Sequence, residues 1–235
     1  MNFENIETDV LGQAGHAAEM LRGLHGIAMP TVPKRSPSAR QFRSGATIYE
    51  DGDPAGDMFE LVEGTVMLHR TLNASERQIV EIALPGALLG LAWQGRQISS
   101  AQAITQVNLR VIDDVGRLDE VMNNRRLILK MIEQIGRLFQ NNTMIGCGSA
   151  VEKLAYFLIN ATEYRSAGSA QSGQPIKIRL VVTRRQIGEF LGVTLETVSR
   201  AFSQLRKDGI IGIEGYRSIQ VYDHVALRKL ATGAK

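Results

Sequence analysis

Three side chains near the C-terminal end of the chain, Glu196, Ser199 and Arg200, sit at offsets of three and four residues. On a helix those offsets share one face. Their chemistry is complementary to nucleic-acid base edges. A guanidinium donates two parallel hydrogen bonds to O6 and N7 of guanine, a carboxylate accepts from N4 of cytosine, and a hydroxyl serves several bases. Leu195, one position earlier, offers only apolar contact, which suits the methyl of thymine. Such a row is useful only on an exposed helix that can enter a major groove.

The surrounding run, TRRQIGEFLGVTLETVSRAFSQLRKD from Thr183 to Asp208, predicts that helix. Thr183 followed three residues later by Gln186 has the spacing of a capping box, in which each side chain satisfies an orphan backbone donor. Ile187, Phe190 and Leu191 then recur at helical spacing, giving a first helix with one buried face. Gly192 marks a tight turn, and Thr194 is a good N-cap for a second helix. Val198, Ala201, Phe202 and Leu205 follow at offsets of three, four and seven, an apolar stripe for the domain core. Two short helices joined this way form a helix-turn-helix whose second member carries the polar row.

Charge agrees with a phosphate-bearing partner. The 235-residue chain carries a net charge of only +3. From Val151 to Lys235, however, 13 Lys/Arg stand against 7 Asp/Glu, a balance of +6, while the remainder has 14 against 17, or −3. A basic C-terminal third is the electrostatic footprint expected of the part that meets DNA. The 44% hydrophobic content is that of an ordinary globular protein, with length for one large or two modest domains. No apolar run approaches a membrane span and MNFENIETDV lacks a signal-peptide pattern, so a cytoplasmic protein without membrane contact is expected.

The segment TRRQIGEFLGVTLETVSR resembles the DNA-reading motif of the CRP/FNR family of bacterial transcription regulators. Its E-x-x-S-R form, Glu196, Ser199 and Arg200, is similar to the FNR and FixK branch. The cyclic-AMP receptor branch has Arg before the Glu and Gly in place of the Ser, where this chain has Leu195 and Ser199. The resemblance runs from about Gln41 to Leu230. It implies base contacts from Leu195, Glu196, Ser199 and Arg200 to a TTGA-like half-site repeated in inverted order. It also implies phosphate contacts from Thr183, Arg184, Arg185, Thr194 and Thr197, which suit their chemistry and helix-end placement.

The rest of the chain is read as the frame that positions this unit. Residues 1–40 are expected to be a flexible leader, with a short helix near Ala17 to Leu24 followed by PTVPKRSPSAR. Residues 41–117 read as short strands with turn chemistry between them. EDGDPAGD is a turn, Glu63-Gly64 a hairpin, and LNASER a hairpin tip. Val80, Ile82 and Leu84 alternate, as do Val107, Leu109 and Val111. The family's sensor domain is an antiparallel β-roll of the cyclic-nucleotide-binding jelly-roll type. Residues 118–149 read as a long helix, on which Ile128, Met131, Ile135, Leu138, Asn142 and Ile145 keep the alternating spacing of a coiled-coil seam. Met122 and Leu129 lie off that seam, on the side available to the roll. In the family this helix is the dimer interface, so a homodimer is expected, with Asn142 helping to fix register. Residues 150–235 read as a winged helix-turn-helix. VEKLAYFLINATEY is its first helix, SAGSAQSGQ a polar loop, and GIIGIEGYRSIQVYD a wing around Gly215. The expected class is α+β.

What the roll senses is argued by absence. By resemblance, cyclic-nucleotide binders of this fold hold the ligand with a Gly-Glu pair and a nearby Arg-Ser. Here Leu91 stands at the Glu position, and Gln97-Ile98 or Ile98-Ser99 replaces the Arg-Ser; Arg96 is the cation nearest that place. A phosphate entering without a buried cation is expensive. An iron–sulfur cluster needs four thiolates, and the chain has one cysteine, Cys147, read as a structural thiol. Haem lacks an evident axial pair, since His16, His25, His69 and His224 are scattered; His69 reads as a surface or core residue on a strand. A cupin-type enzyme needs clustered ligands, whereas 41–112 holds only His69, so no enzyme and no metal are expected. The expectation is a regulator that works without a cofactor, as resembles the FixK branch. Its partners are double-stranded DNA carrying an inverted-repeat promoter site and, by resemblance, RNA polymerase, touched through SAGSAQSGQ and LNASER. The alternative is a ligand-responsive CRP-type regulator whose roll binds an unidentified small molecule.

Overall fold

The computed structural model describes residues 39–73, 76–112, 124–166, 175–215 and 217–233. The short helix expected near Ala17 to Leu24, His16, His25, Met122 and the polar loop at 167–174 lie outside them.

Ten strands build the N-terminal half: β1 (Ala39–Phe42), β2 (Thr47–Tyr49), β3 (Met58–Glu63), β4 (Val66–Asn73), β5 (Glu76–Ala83), β6 (Leu88–Leu89), β7 (Ala92–Trp93), β8 (Arg96–Gln97), β9 (Ser100–Ala103) and β10 (Val107–Ile112). They form two four-stranded antiparallel sheets, ordered β1-β10-β3-β6 and β2-β9-β4-β5, with β7-β8 as a small separate hairpin. Phe59, Leu61, Val107 and Leu109 of the first sheet and Val66, Leu68, Ala101 and Ala103 of the second close on one another as a single apolar cluster. The last two residues of the expected leader, Ala39 and Arg40, belong to β1.

Two local expectations change. Glu63-Gly64 is not a hairpin turn, because β3 and β4 lie in different sheets and the chain crosses between them there. Gly64 has φ +96°, and a Cβ on it would lie 2.2 Å from the carbonyl oxygen of Gln106, so backbone approach decides this residue. The β4–β5 hairpin does close across Asn73 and Glu76, at the expected tip. On β5 the inward residue is Ala83, while Ile82 packs outward against the C-terminal half. The β4–β5 register shifts between Leu68 and His69, and beyond the shift Ile79 joins that outer cluster. A bulge of this sort exchanges the faces that simple alternation assigns.

Helix α1 (Arg125–Cys147) starts at Asn124, whose side chain accepts from the Leu127 N–H. It leans on the roll through Leu127 and Met131, which meet Met58 and Leu88. Between them sits a buried polar clamp. The Gln134 Oε1 accepts from the Leu88 N–H at 2.9 Å, and its Nε2 donates to the Leu88 carbonyl and to Glu81 Oε2, each at 3.0 Å. A buried amide satisfied at both ends specifies one docking position, where an apolar contact would tolerate sliding.

The C-terminal half comprises α2 (Ala150–Ser166), β11 (Ile176–Arg179), α3 (Arg184–Leu191), α4 (Leu195–Lys207), β12 (Ile211–Glu214), β13 (Ser218–Val221) and α5 (His224–Thr232). The strands form one antiparallel sheet in the order β11-β13-β12 beside the helices, a winged helix-turn-helix whose wing turns at Gly215. Its core takes Leu154, Leu158, Ile187, Leu191, Phe202 and Leu205, and extends to Met67 and Ile79 on the outer face of the roll.

Candidate nucleic-acid interface

Local hydrogen bonds set the two helices of the reading unit. The Thr183 hydroxyl accepts from the Gln186 N–H at 3.2 Å, and the Gln186 Oε1 accepts from the Thr183 N–H at 2.8 Å, completing the capping box. Gly192 caps α3 in the left-handed region at φ +65°, which lets the chain turn sharply. The Thr194 hydroxyl accepts from the Thr197 N–H at 3.2 Å and opens α4. Val198, Ala201, Phe202 and Leu205 are all buried, so the apolar stripe anchors α4 and fixes which face looks out.

Leu195, Glu196 and Arg200 are exposed on that outer side and Ser199 is half-buried beside them. Leu195 leaves 45% of its surface free although it is a large aliphatic side chain. The Glu196 carboxyl is held below the usual carboxylate range by hydrogen bonds from its own backbone N–H and the Thr194 hydroxyl, with a smaller contribution from Arg200. It is therefore an anionic acceptor at neutral pH. Among the described residues neither Glu196 nor Arg200 closes a salt bridge with a neighbour. One exposed helix face thus presents an apolar contact, an acceptor, a hydroxyl and a guanidinium.

The other residues expected at this surface are arranged around it. Thr183 and Thr194 are the two N-caps, and the hydroxyls of Thr194 and Thr197 lie 3.1 Å apart. Arg185 is exposed and makes a loose 3.5 Å contact with Glu189 one turn on. Arg184 differs in that its guanidinium lies over the Phe202 ring, 4.2 Å from the centroid. That stacking orients the cation from beneath while its donors remain in plane, a contact worth about 0.5–2 kcal/mol.

Local reasoning missed what ties the unit to the roll. Arg77 on β5 forms a 2.8 Å ion pair with Glu189 on α3, and the Gln78 Nε2 donates to the Phe190 carbonyl at 3.2 Å. These partners are 112 residues apart, and no periodicity or spacing announces them.

The seam expected on α1 divides between two faces. Met131 packs on the roll and Ile145 on the C-terminal core, so both serve contacts within the chain. Ile135 and Asn142 are exposed, whereas Ile128 and Leu138 are half-buried. Ile132 and Phe139, outside the expected set, are exposed with Ile135, and Phe139 keeps 73% of its surface free. Leu129, expected to cover the roll, is half exposed. Two interleaved stripes with the same spacing run along this helix, and sequence alone does not say which one faces home.

In the roll, the Gly90 N–H donates to the Tyr49 hydroxyl at 2.9 Å, and Leu91 packs against the cluster of Met58, Leu88 and Leu127. Gln97 is buried with its side-chain carbonyl unpartnered among the described residues, while Ile98 is exposed. Arg96 turns outward and donates to the Gly52 carbonyl at 2.8 Å. His69 is partly buried, and desolvation lowers its pKa. Cys147 is exposed at the end of α1. Among the described residues no group of three or more His, Cys, Asp or Glu could hold a metal ion, and no helix is long and apolar enough to cross a membrane.

Comparison with known proteins matches both halves. A Crp-like helix-turn-helix domain covers residues 152–230, and a cyclic nucleotide-binding domain covers 39–124. The chain is 30% identical over 189 residues to the nitrogen fixation regulation protein FixK of Rhizobium meliloti, across 80% of this chain and 85% of that protein. It is 32% identical over 203 residues to the transcriptional activator protein anr of Pseudomonas aeruginosa, across 83% and 80% respectively. Its fold is similar to that of FixK2 from Bradyrhizobium japonicum, with a TM-score of 0.71 at 29% identity over 83% of this chain and 98% of that one.

Proposed function

Because the chain belongs to the CRP/FNR family of transcription regulators, we propose that it binds, as a homodimer, an inverted repeat of TTGA-like half-sites and activates transcription there. The observation that carries this reading is the outer face of α4, where Leu195, Glu196 and Arg200 stand exposed over a fully buried stripe. Arg200 takes guanine, Glu196 takes the cytosine N4 donor, Leu195 meets a thymine methyl, and Ser199 supplements them. Thr183, Arg184, Arg185, Thr194 and Thr197 hold the phosphates, with Arg184 braced by Phe202.

The dimer forms along α1 through the stripe of half-buried Ile128 and exposed Ile132, Ile135, Phe139 and Asn142. Its spacing of four, three, four and three is that of a coiled coil, and Phe139 is too exposed for an apolar ring in a lone protomer. Two copies then present two α4 helices to successive major grooves about one helical turn apart. Cyclic nucleotide and iron–sulfur chemistry are not part of this mechanism. Leu91 is committed to apolar packing, and a single cysteine does not ligate a cluster within one chain. By resemblance, the segments LNASER and SAGSAQSGQ are the ones proposed to touch RNA polymerase.

Selection of bound sequences from random DNA by purified protein, with no added ligand, is the test. An inverted repeat with TTGA-like halves is expected; recovery of unrelated or unpaired sequences overturns the contact assignment. Arg200→Ala is expected to cost about 1–3 kcal/mol of binding and to relax choice at the guanine alone.

A further inference from the structure

We propose that the cavity between the roll and the C-terminal domain binds a small amphipathic carboxylic acid, and that its occupancy sets DNA affinity. The inference rests on the DNA-binding reading above and adds a controlling ligand to it. The cavity is about 830 Å³, within the range of small-molecule sites. It lies outside the roll, whose interior is occupied by its own apolar cluster. One wall comes from β5, the turn after it, and α1; the opposite wall comes from α2, β11, α3 and the link between the last two.

The lining selects the chemistry. Ile82 and Leu84 from the roll face Phe157, Leu180, Val182 and Phe190, so the body of the ligand must be apolar. The Phe157 and Phe190 rings meet at 5.9 Å and a 57° tilt, a preformed aromatic surface. Charge at the wall is unevenly spent. Lys130 is taken up by Glu60, which also holds Arg110. Glu81 is buried, bound by Gln134, and pushed toward its neutral form by desolvation. Arg137 and Arg179 stand at the wall with the carboxylates Glu133 and Glu81, and Arg137 attracts Glu81; among the described residues Arg137, Arg179 and Glu133 close no salt bridge. Guanidiniums outside any salt bridge, beside an apolar floor, suit a carboxylate head, which a guanidinium binds by paired charge-assisted hydrogen bonds. Arg137 stands on α1 and Arg179 on β11, so a ligand in this cavity meets both halves of the molecule. A ligand that contacts both halves in one arrangement must shift the population of that arrangement.

The test uses the full-length protein and sodium decanoate as probe, followed by calorimetry and by affinity for the selected inverted repeat. Saturable binding of one decanoate per chain is expected, with 1-decanol about tenfold weaker or worse, as the loss of a charge-assisted contact requires. The double variant Arg137→Ala/Arg179→Ala is expected to lose about tenfold in decanoate affinity while binding DNA as before when no acid is present. Ala161→Phe, which fills the cavity and leaves both charges, is expected to abolish binding. Decanoate should change DNA affinity by about threefold or more in the parent and leave both variants unmoved. No saturable binding, equal binding by decanol, unaltered binding in the variants, or DNA affinity indifferent to decanoate overturns the inference. Failure of the acid-free protein to bind any DNA overturns the regulator reading instead.

Discussion

The two halves of this molecule use side chains in opposite ways. In the C-terminal domain, α4 commits four apolar residues to the core and leaves Leu195, Glu196 and Arg200 exposed, with no salt bridge at Glu196 or Arg200 among the described residues. In the roll, two residues that the resemblance places at the family's ligand position are absorbed into the structure: Leu91 into apolar packing and Arg96 onto a backbone carbonyl. Unspent hydrogen-bonding capacity on a rigid element marks a surface that acts on something else. Capacity consumed internally marks a scaffold.

The sharpest way to break this contrast is to remove the anchor of the reading helix. Phe202→Ala deletes a fully buried ring that also carries Arg184, and is expected to cost about 3–5 kcal/mol. Thermal melting should show the loss, and DNA binding should go with it; a stable variant that still binds would mean that the stripe does not hold α4 in place. At the other end of the molecule, Gln134→Ala orphans both Leu88 backbone groups and Glu81. A loss of about 1–3 kcal/mol for each unsatisfied group is expected, read by denaturant titration. Specificity for the inverted repeat should survive in whatever fraction stays folded, and a changed half-site would show that the roll participates in reading bases.

Smaller effects sharpen the comparison. Thr194→Ala removes the cap of α4 and is expected to cost about 0.5–2 kcal/mol, with amide exchange rising first at Thr197. Equal protection in variant and parent would mean that packing alone sets the helix start. The smallest effect concerns pH. Burial raises the Glu81 carboxyl, so the folded state holds its proton more tightly than the unfolded state does. That contribution is full at low pH and is lost as pH rises through the raised value. Glu81→Gln should therefore flatten the fall in melting temperature as pH rises above the ordinary carboxylate range, and an unchanged slope would remove Glu81 as its source.

Much of the reading unit was legible because each of its signals acts within four residues. The capping box of Thr183 and Gln186, the left-handed turn at Gly192 and the Thr194 cap are bonds between near neighbours, and three-to-four spacing alone separates the buried stripe of α4 from its exposed face. Sequence by itself therefore determined that a helix-turn-helix forms and which side chains it presents.

Only the tertiary structure decided where the equivalent patterns elsewhere point. On α1 two stripes share one spacing, and the roll and the C-terminal core claimed Leu127, Met131 and Ile145, leaving Ile132, Ile135 and Phe139 outside. On β5 a bulge exchanged faces, and at Gly64 a chain crossing replaced the expected turn. Arg184 lies over Phe202, and Arg77 and Gln78 hold α3 from 112 residues away. The physical reason is common to all of these. Periodicity says that a face is apolar, but which surface covers it depends on contacts between segments that the chain brings together only when folded.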